Sequence, residues 1–193
     1  MWAVCAYDGP VRAAVNAYKE HARLGLAQPL GAALATAAAA AIAADTAARQ
    51  GPAHRRERYL LVNVPSSRRT VRDRGHDAAG RLAQVAAAHL RRNGVDVVAA
   101  HLLGLDRRVA DQAGLSIEER RLNLAGALRV RPGRARLACG RHVVLVDDVM
   151  TSGSTLAEAR RAIEIAGPPV PVAAVVAATQ RRAATRRAQD RLA

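Results

Sequence analysis

The chain has 193 residues, half of them apolar, which suits one domain with a small addition and a substantial core. Its net charge of +14 is almost entirely arginine, with Lys19 as the only lysine. Such charge favours phosphates, nucleotides or nucleic acid as ligands, although coding bias toward arginine and alanine is an alternative cause. Cys5 and Cys139 lack the spacing of a metal site or a disulfide framework, so a cytoplasmic protein is expected. No segment is expected to enter a membrane.

The N-terminal part, residues 1–56, is predicted to form a helical hood over the rest of the fold. Residues 2–7 are apolar and have strand character, and an amphipathic pattern predicts a helix over residues 11–21. The alanine-rich stretch that follows favours a second helix over residues 27–48.

The rest of the chain is predicted to form a core domain over residues 57–180 and a basic tail over residues 181–193. Strands are predicted over residues 96–103, 126–130 and 170–178. In the middle of the core, Ser116 followed by Glu119 resembles a capping box and predicts the start of a helix.

A cationic loop follows the first core strand, which is predicted over residues 59–64. The loop leads into a helix over residues 76–92, which Asn93 and Gly94 terminate. Hydroxyl and guanidinium groups suit a diphosphate, which must be neutralised both when bound and as a leaving group. A solvated arginine surface is the alternative. The candidate diphosphate-binding residues are Ser66, Ser67, Arg68, Arg69 and Arg74.

The most informative stretch is VVLVDDVMTSGST, residues 143–155. Residues 143–146 are typical of a buried parallel strand, with Asp147 and Asp148 at its carboxyl end. A hydroxyl-rich loop follows, and it opens a helix whose apolar stripe is Leu156, Ala159, Ile163 and Ala166. N–H groups at a helix start favour a phosphate, and Gly153 permits close approach of the ligand. A sugar phosphate fits both the carboxylates and the loop, while an ordinary turn with capping hydroxyls is the alternative.

Residues 147–155 resemble the phosphoribosyl pyrophosphate (PRPP) loop of the type I phosphoribosyltransferases. The resemblance implies an α/β fold with a mostly parallel sheet flanked by helices. It also implies PRPP as ligand, with the ribose hydroxyls on Asp147 and Asp148. The 5′-phosphate would lie on Thr151, Ser152, Gly153, Ser154 and Thr155. Mg²⁺ is expected to arrive with PRPP, so no metal ligands are assigned to the chain itself.

Further motifs resemble those of one family within this group, the ComF/GntX family of phosphoribosyltransferase-like proteins. They are YDG at residues 7–9 with Lys19, RGHD at residues 74–77, and an ordered polar series over residues 107–126. The family is associated with natural competence and DNA uptake. Its members commonly carry an N-terminal cysteine cluster, which this chain lacks, and the RGHD motif departs from the family at its histidine and aspartate. His76 is a candidate acid or base, with a structural role as the alternative.

Two functional hypotheses follow from different classes of protein. In the first, the chain is an enzyme or former enzyme that binds PRPP or a related nucleotide. In the second, it is a non-enzymatic module that binds single-stranded DNA or a competence complex. The scarcity of aromatic residues argues against base-stacking platforms, so such binding would depend strongly on salt. Homodimers are common in the resembled superfamily.

Overall fold

The computed structural model describes residues 1–49, 57–106, 117–167 and 172–179. These residues form the α/β fold that the sequence predicts, a five-stranded parallel sheet with helices on both faces. The strands are β1 (Trp2–Ala6), β2 (Arg58–Asn63), β3 (Asp96–Ala100), β4 (Leu103–Leu105), β5 (Leu128–Val130), β6 (His142–Met150) and β7 (Val172–Ala178). The helices are α1 (Gly9–Glu20), α2 (Ala27–Ala48), α3 (Arg68–Arg74), α4 (Ala78–Arg92), α5 (Ile117–Leu124) and α6 (Ser154–Ile165), with short 3₁₀ turns at Leu24–Leu26 and Ala135–Ala138.

The strands of the main sheet lie in the order β1-β7-β6-β2-β3, while β4 and β5 form a separate antiparallel hairpin. Every pairing in the main sheet is parallel, so all five carboxyl ends meet at one edge. Because β6 lies between β7 and β2, the loops that leave β6 and β2 are neighbours. We call this side of the sheet, where β2 and β6 end, the ligand edge, since open parallel sheets bind ligands there.

The side chains of β6 alternate between two separate cores. Val144 and Val146 pack in the core beneath α1, α2 and α4. Val143 and Leu145 pack in the other core, with α6 and the β4–β5 hairpin. Because the side-chain period of a strand is two residues, Asp147 continues the parity of Val143 and Leu145, and Asp148 that of Val144 and Val146. Beyond Asp148 the alternation reverses, since Val149 packs against the first core and Met150 against the second.

The helical stripes were predicted well. In α4 the whole predicted face is buried, comprising Ala79, Leu82, Ala83, Ala86 and Leu90. In α6 the first three predicted positions, Leu156, Ala159 and Ile163, are buried. The fourth, Ala166, is exposed because the helix ends at Ile165.

Three boundaries differ from the predicted ones. Strand β6 continues through both aspartates to Met150, because its pairing with β7 extends that far. The stretch Arg68–Arg74 is a short helix rather than a loop, since Ser67 Oγ accepts a hydrogen bond from Thr70 N at 3.0 Å and caps it. The third strand ends at Ala100, and the chain then turns into the hairpin strand β4.

Helix α2 belongs to a stretch that passes a length and hydropathy test for a membrane span, although no such segment is expected from the sequence. By length and hydropathy alone, the stretch Leu24–Ala48 could cross a membrane, with a mean hydropathy of 1.5 over its best window. Half of that window is buried inside the protein. The buried side of α2 packs against α4 and β7, and core helices of globular proteins pass the same test.

The N-terminal segment is helical, as predicted, and it shares the main sheet. Strand β1 forms an edge of the sheet through its pairing with β7, and α1 and α2 cover one face. The division into hood, core and tail stays a prediction. Ser116 and the basic tail lie outside the described residues.

Candidate functional site

The structure brings the two predicted loops together at the ligand edge. Val146 pairs with Asn63 in the register of β6 and β2, and Val64 N donates to Val146 O at 3.1 Å. The acid pair of β6 therefore follows directly beside the point where β2 gives way to its cationic loop. Two strand–loop–helix units thus present their loops side by side, as a ligand with phosphates at both ends requires.

The two aspartates lie on opposite sides of the sheet, because strand alternation continues through them. Asp148 is buried on the side of α1, where Lys19 Nζ lies 2.9 Å from its Oδ2 and 3.1 Å from its Oδ1. Burial alone would lower the pKa of Lys19, but the charge and hydrogen bond of Asp148 outweigh it and raise that pKa. The only lysine of the chain therefore neutralises one acid of the pair.

Asp147 has the same parity as Val143 and Leu145, so it lies toward α6. Its Oδ1 accepts a hydrogen bond from Asp148 N at 2.9 Å. Burial raises the pKa of Asp147 to about 8, and the negative charge of Asp148 adds to the rise. A carboxyl with this pKa is largely protonated at neutral pH, so it can donate a hydrogen bond to a sugar hydroxyl as well as accept one.

Replacing Asp147 with asparagine will stabilise the protein more at pH 8 than at pH 5. The folded pKa of about 8 lies above the ordinary value of 3.8, so the folded state binds more protons and the wild type loses stability as the pH rises between these values. Asparagine does not titrate, and the difference should grow by at least about 1 kcal/mol across this range. Urea unfolding of both proteins at pH 5 and pH 8 measures it. A difference that is the same at both pH values would contradict the assignment.

The hydroxyl-rich loop after β6 forms a compact turn into α6. Gly153 adopts the left-handed conformation, with φ +80°, immediately before the helix. Ser152 Oγ lies 2.9 Å from Ser154 Oγ and accepts from Ser154 N at 3.3 Å. Thr179, at the end of β7, donates to Thr151 O at 3.0 Å and holds the start of the loop. The turn thus places the first N–H groups of a 12-residue helix beside several hydroxyls, an arrangement that favours a phosphate.

The loop after β2 presents part of the predicted diphosphate set. Ser66 and Ser67 are half-buried before α3, while Arg68 and Arg69 are exposed in its first turn. Arg69 Nε lies 3.6 Å from Asp73 Oδ2, a solvent-exposed contact of little energetic weight.

Arg74, the last member of the predicted set, is held elsewhere. Its Nη2 donates to Glu20 Oε1 at 2.5 Å and its Nε to Glu20 Oε2 at 3.2 Å. Glu20 follows Lys19 at the end of α1. Adjacent residues of α1 therefore form ion pairs with Asp148 of the acid pair and with Arg74 at the end of α3. Sequence reasoning missed Glu20, because neither its spacing nor its neighbours distinguish it from a solvated surface residue.

His76 also packs against α1. Its ring meets Tyr18 edge-on, with the ring centroids 5.3 Å apart, and its Nδ1 lies 3.1 Å from Arg74 O. Its Nε2 is buried, with no hydrogen-bond partner among the described residues. These contacts favour a packing role for His76 over acid–base chemistry.

A large cavity of about 1040 Å³ opens between α3 and the β4–β5 hairpin. It is lined by Pro65, Ser66, Ser67, Arg68, Arg69, Arg72, Asp73, Gly104, Leu105, Asp106, Arg129, Arg131 and Pro132. Four of the five predicted diphosphate residues are therefore among its walls, and Arg74 is not. None of residues 147–155 lines it, so the cavity extends away from the acid pair.

Comparison with known proteins gives one assignment. The family model for the phosphoribosyl transferase domain matches residues 82–192, more than half of the chain, and the match includes the acid pair and the loop after it. A search of curated proteins found no match. The parallel sheet, the acid pair at the end of β6 and the loop that opens α6 agree with this match. The chain belongs to the phosphoribosyl transferase domain family.

Proposed function

We propose that this protein binds PRPP at the loop between β6 and α6 and transfers its phosphoribosyl group. The observation that carries the proposal is the acid pair followed at once by the hydroxyl–glycine turn into α6. Asp147 and Asp148 would take the ribose hydroxyls, and residues 151–155 would take the 5′-phosphate. Membership of the phosphoribosyl transferase domain family supports PRPP over other sugar phosphates.

The reaction would break the bond between C1 of the ribose and the diphosphate oxygen. The diphosphate leaves with the electron pair, and a nucleophilic acceptor forms the new bond to C1 and loses its proton. The cation-like sugar between these steps resembles that of other glycosyl transfers. The residues of the chain act by holding both ends of the substrate, with Ser67, Arg68 and Arg69 neutralising the departing diphosphate.

The acid pair also fits the Mg²⁺ that the family implies. The described residues contain no group of three or more histidine, cysteine, aspartate or glutamate side chains that could hold a metal. Mg²⁺ commonly binds through one or two carboxylates together with substrate phosphates. Asp147 lacks the direct lysine contact that Asp148 has, so its carboxyl would be the oxygen donor to such an ion. The charge of the ion would favour the ionised form of Asp147, which burial disfavours. When bound, Mg²⁺ would neutralise phosphate charge.

Within the family, the motifs at residues 7–9, 74–77 and 107–126 support a member of the ComF/GntX type. That placement would make the protein a cytoplasmic participant in competence or DNA uptake, and a homodimer is compatible with it. Arg107, which belongs to the last motif, lies outside the described residues.

Binding of single-stranded DNA is the second candidate function. The net charge of +14 and the arginines along the cavity favour it. Such binding would weaken steeply as salt is raised and would be unaffected by PRPP. Fluorescence anisotropy of a labelled oligonucleotide, with and without PRPP, distinguishes it from a nucleotide site.

Competition between PRPP and its two fragments tests the proposed function. We expect calorimetry in the presence of Mg²⁺ to show one PRPP site, and both ribose 5-phosphate and diphosphate to compete for it more weakly. Each fragment keeps only one of the two phosphate-bearing ends, so its affinity should fall by at least about 10-fold. A folded protein that binds diphosphate but neither PRPP nor ribose 5-phosphate at the same site would contradict the proposal.

A further inference from the structure

Helix α3 begins at the diphosphate-binding end of the proposed site, yet none of its residues is buried. All residues of Arg68–Arg74 are exposed or half-buried, whereas α4 and α6 each bury an apolar stripe. Most of the stability of a helix in a protein comes from packing such a stripe against a core. The orientation of α3 therefore depends largely on polar contacts at its two ends.

The two ends of α3 are held in different ways. At its start, Ser67 Oγ accepts a hydrogen bond from Thr70 N at 3.0 Å, which closes the first turn but ties the helix to its own cap. At its end, Arg74 contacts Glu20 of α1. Helix α1 packs in the core through Val15 and Tyr18, so this second contact joins α3 to an element that is itself held in place.

The contact between Arg74 and Glu20 has the two-pronged geometry that fixes direction. Arg74 Nη2 donates to Glu20 Oε1 at 2.5 Å, and Arg74 Nε donates to Glu20 Oε2 at 3.2 Å. Two such bonds set the orientation of both side chains as well as their distance. The side chains are 21% and 49% exposed, so the pair contributes more to the placement of α3 than to the overall stability of the protein.

The position of Glu20 is unfavourable for α1 itself. The carboxyl end of a helix carries partial negative charge, so an acidic residue in the last turn destabilises the helix. Helix α1 ends at Glu20, whereas Lys19 beside it has the favoured sign. The contact with Arg74 therefore explains a carboxylate at this point better than the stability of α1 does.

The last turn of α1 reaches both strand–loop–helix units of the site. Tyr18 is buried, and its hydroxyl donates to Ala78 O, at the start of α4, at 3.0 Å. Lys19 contacts Asp148 at the end of β6. Successive residues of a helix are rotated by about 100°, so Tyr18, Lys19 and Glu20 reach three different neighbours. Glu20 thus extends from a turn that is already fixed to the sheet and to α4.

We propose that Glu20 is a positioning residue for the diphosphate of PRPP. By holding Arg74 it fixes the end of α3, and the helix carries this restraint over about 10 Å to its first turn. A restrained helix loses less conformational freedom when a ligand binds, and this strengthens binding. The role of Glu20 rests on the proposed function, in which Ser67, Arg68 and Arg69 hold the diphosphate.

Calorimetric titration of the two fragments of PRPP, with Mg²⁺ present, separates positioning from a general loss of structure. We expect Glu20→Gln to weaken the binding of inorganic diphosphate by at least about 5-fold, because the ligand must then order α3. Loss of a negative charge alone would strengthen that binding. Ribose 5-phosphate, which binds at the loop after β6, should keep its affinity within about 2-fold.

The matched control removes a carboxylate from another helix end. Glu164 lies in the last turn of α6, where Arg160 Nε is 2.8 Å from its Oε1. Glu164→Gln therefore makes the same change of charge and breaks one exposed ion pair, and it should leave both affinities unchanged. An equal loss of diphosphate affinity in this control would contradict a specific role for Glu20.

A double-mutant cycle tests whether Glu20 acts through Arg74. Arg74→Gln should lose about as much diphosphate affinity as Glu20→Gln, and the double variant should lose no more than either, since all three break one contact. Tighter diphosphate binding to Glu20→Gln, with weaker binding to Arg74→Gln, would overturn the proposal, because Arg74 would then be a direct ligand that Glu20 withholds. Unchanged diphosphate affinity in Glu20→Gln would overturn it as well.

Hydrogen exchange tests the restraint on α3 without a ligand. In Glu20→Gln the backbone amides of α3 should exchange at least about 5-fold faster than in the wild type, while those of α6 keep their rates. Equal exchange of α3 in the two proteins would show that Glu20 does not hold this helix, whatever the titrations give. Failure of the wild type to bind either fragment would contradict the proposed function alone, and the exchange of α3 would still decide the role of Glu20.

Discussion

Replacing Lys19 with methionine will destabilise the protein at neutral pH by about 3 kcal/mol, the scale of a buried ion pair that loses one partner. The side chains of Lys19 and Asp148 are 24% and 6% exposed and lie 2.9 Å apart. Methionine keeps most of the packing of the lysine stem but leaves a buried carboxylate without its cation. Urea unfolding at pH 7 measures the loss.

Two further variants make this prediction specific. Arg12→Met removes an exposed cation from the same helix and should change stability by less than about 0.5 kcal/mol. Asp148→Asn in the Lys19→Met background should recover much of the loss, because the buried charge is then gone. Equal effects of Lys19→Met and Arg12→Met would show that the pair contributes little.

The contact between Lys19 and Asp148 also determines how the stability of the protein changes at alkaline pH. The pKa of Lys19 is raised in the folded protein, so its contribution to stability is fully present below the ordinary value of 10.5. It is lost as the pH rises through the folded pKa. The stability gap between wild type and Lys19→Met should therefore narrow above that pH.

The second large effect is expected at Gly153. Replacing it with valine will weaken PRPP binding by at least about 10-fold, because a β-branched residue resists the left-handed conformation by roughly 1–2 kcal/mol. The strain would be relieved by moving the turn that holds the 5′-phosphate. Crowding is not the cause, since a Cβ there would meet Met150 Sδ at an ordinary 3.6 Å.

Asparagine at the same position is the matched control. It adds a side chain of comparable size but tolerates positive φ, so Gly153→Asn should retain affinity within about 3-fold. Calorimetric titration of PRPP with Mg²⁺ compares the two variants. Equal losses would show that any side chain blocks the phosphate, and equal retention would place the phosphate elsewhere.

Local patterns in the sequence predict most of the fold. The face of α4 follows from helical periodicity, and β6 with the start of α6 follows from an apolar run, a glycine turn and a helical stripe. Helix α3 was not predicted, because a run of arginines is typical of a solvated loop. Its cap, Ser67, is recognisable only once the helix is known.

The site was predicted less completely, because its contacts join distant parts of the chain. Lys19 and Asp148 are 129 residues apart, and no local pattern indicates that they meet. The separation of Asp147 from Asp148 follows from strand alternation, but only if β6 extends through both. The hairpin wall of the cavity arises where β4 and β5 pair across a long stretch of sequence, so its arginines looked like unrelated surface charges.

The most direct test of the central claim is calorimetric titration of PRPP with Mg²⁺ on the wild type and on Asp147→Asn/Asp148→Asn. Exposed carboxylates at Asp96 and Glu164 provide the control variant, Asp96→Asn/Glu164→Gln. We predict one saturable site in the wild type and the control, and a loss of about 100-fold or more in the acid-pair variant, since several hydrogen bonds to ribose are removed. Equal PRPP affinity in all three folded proteins, or no binding to the wild type, would contradict the placement of PRPP on this loop.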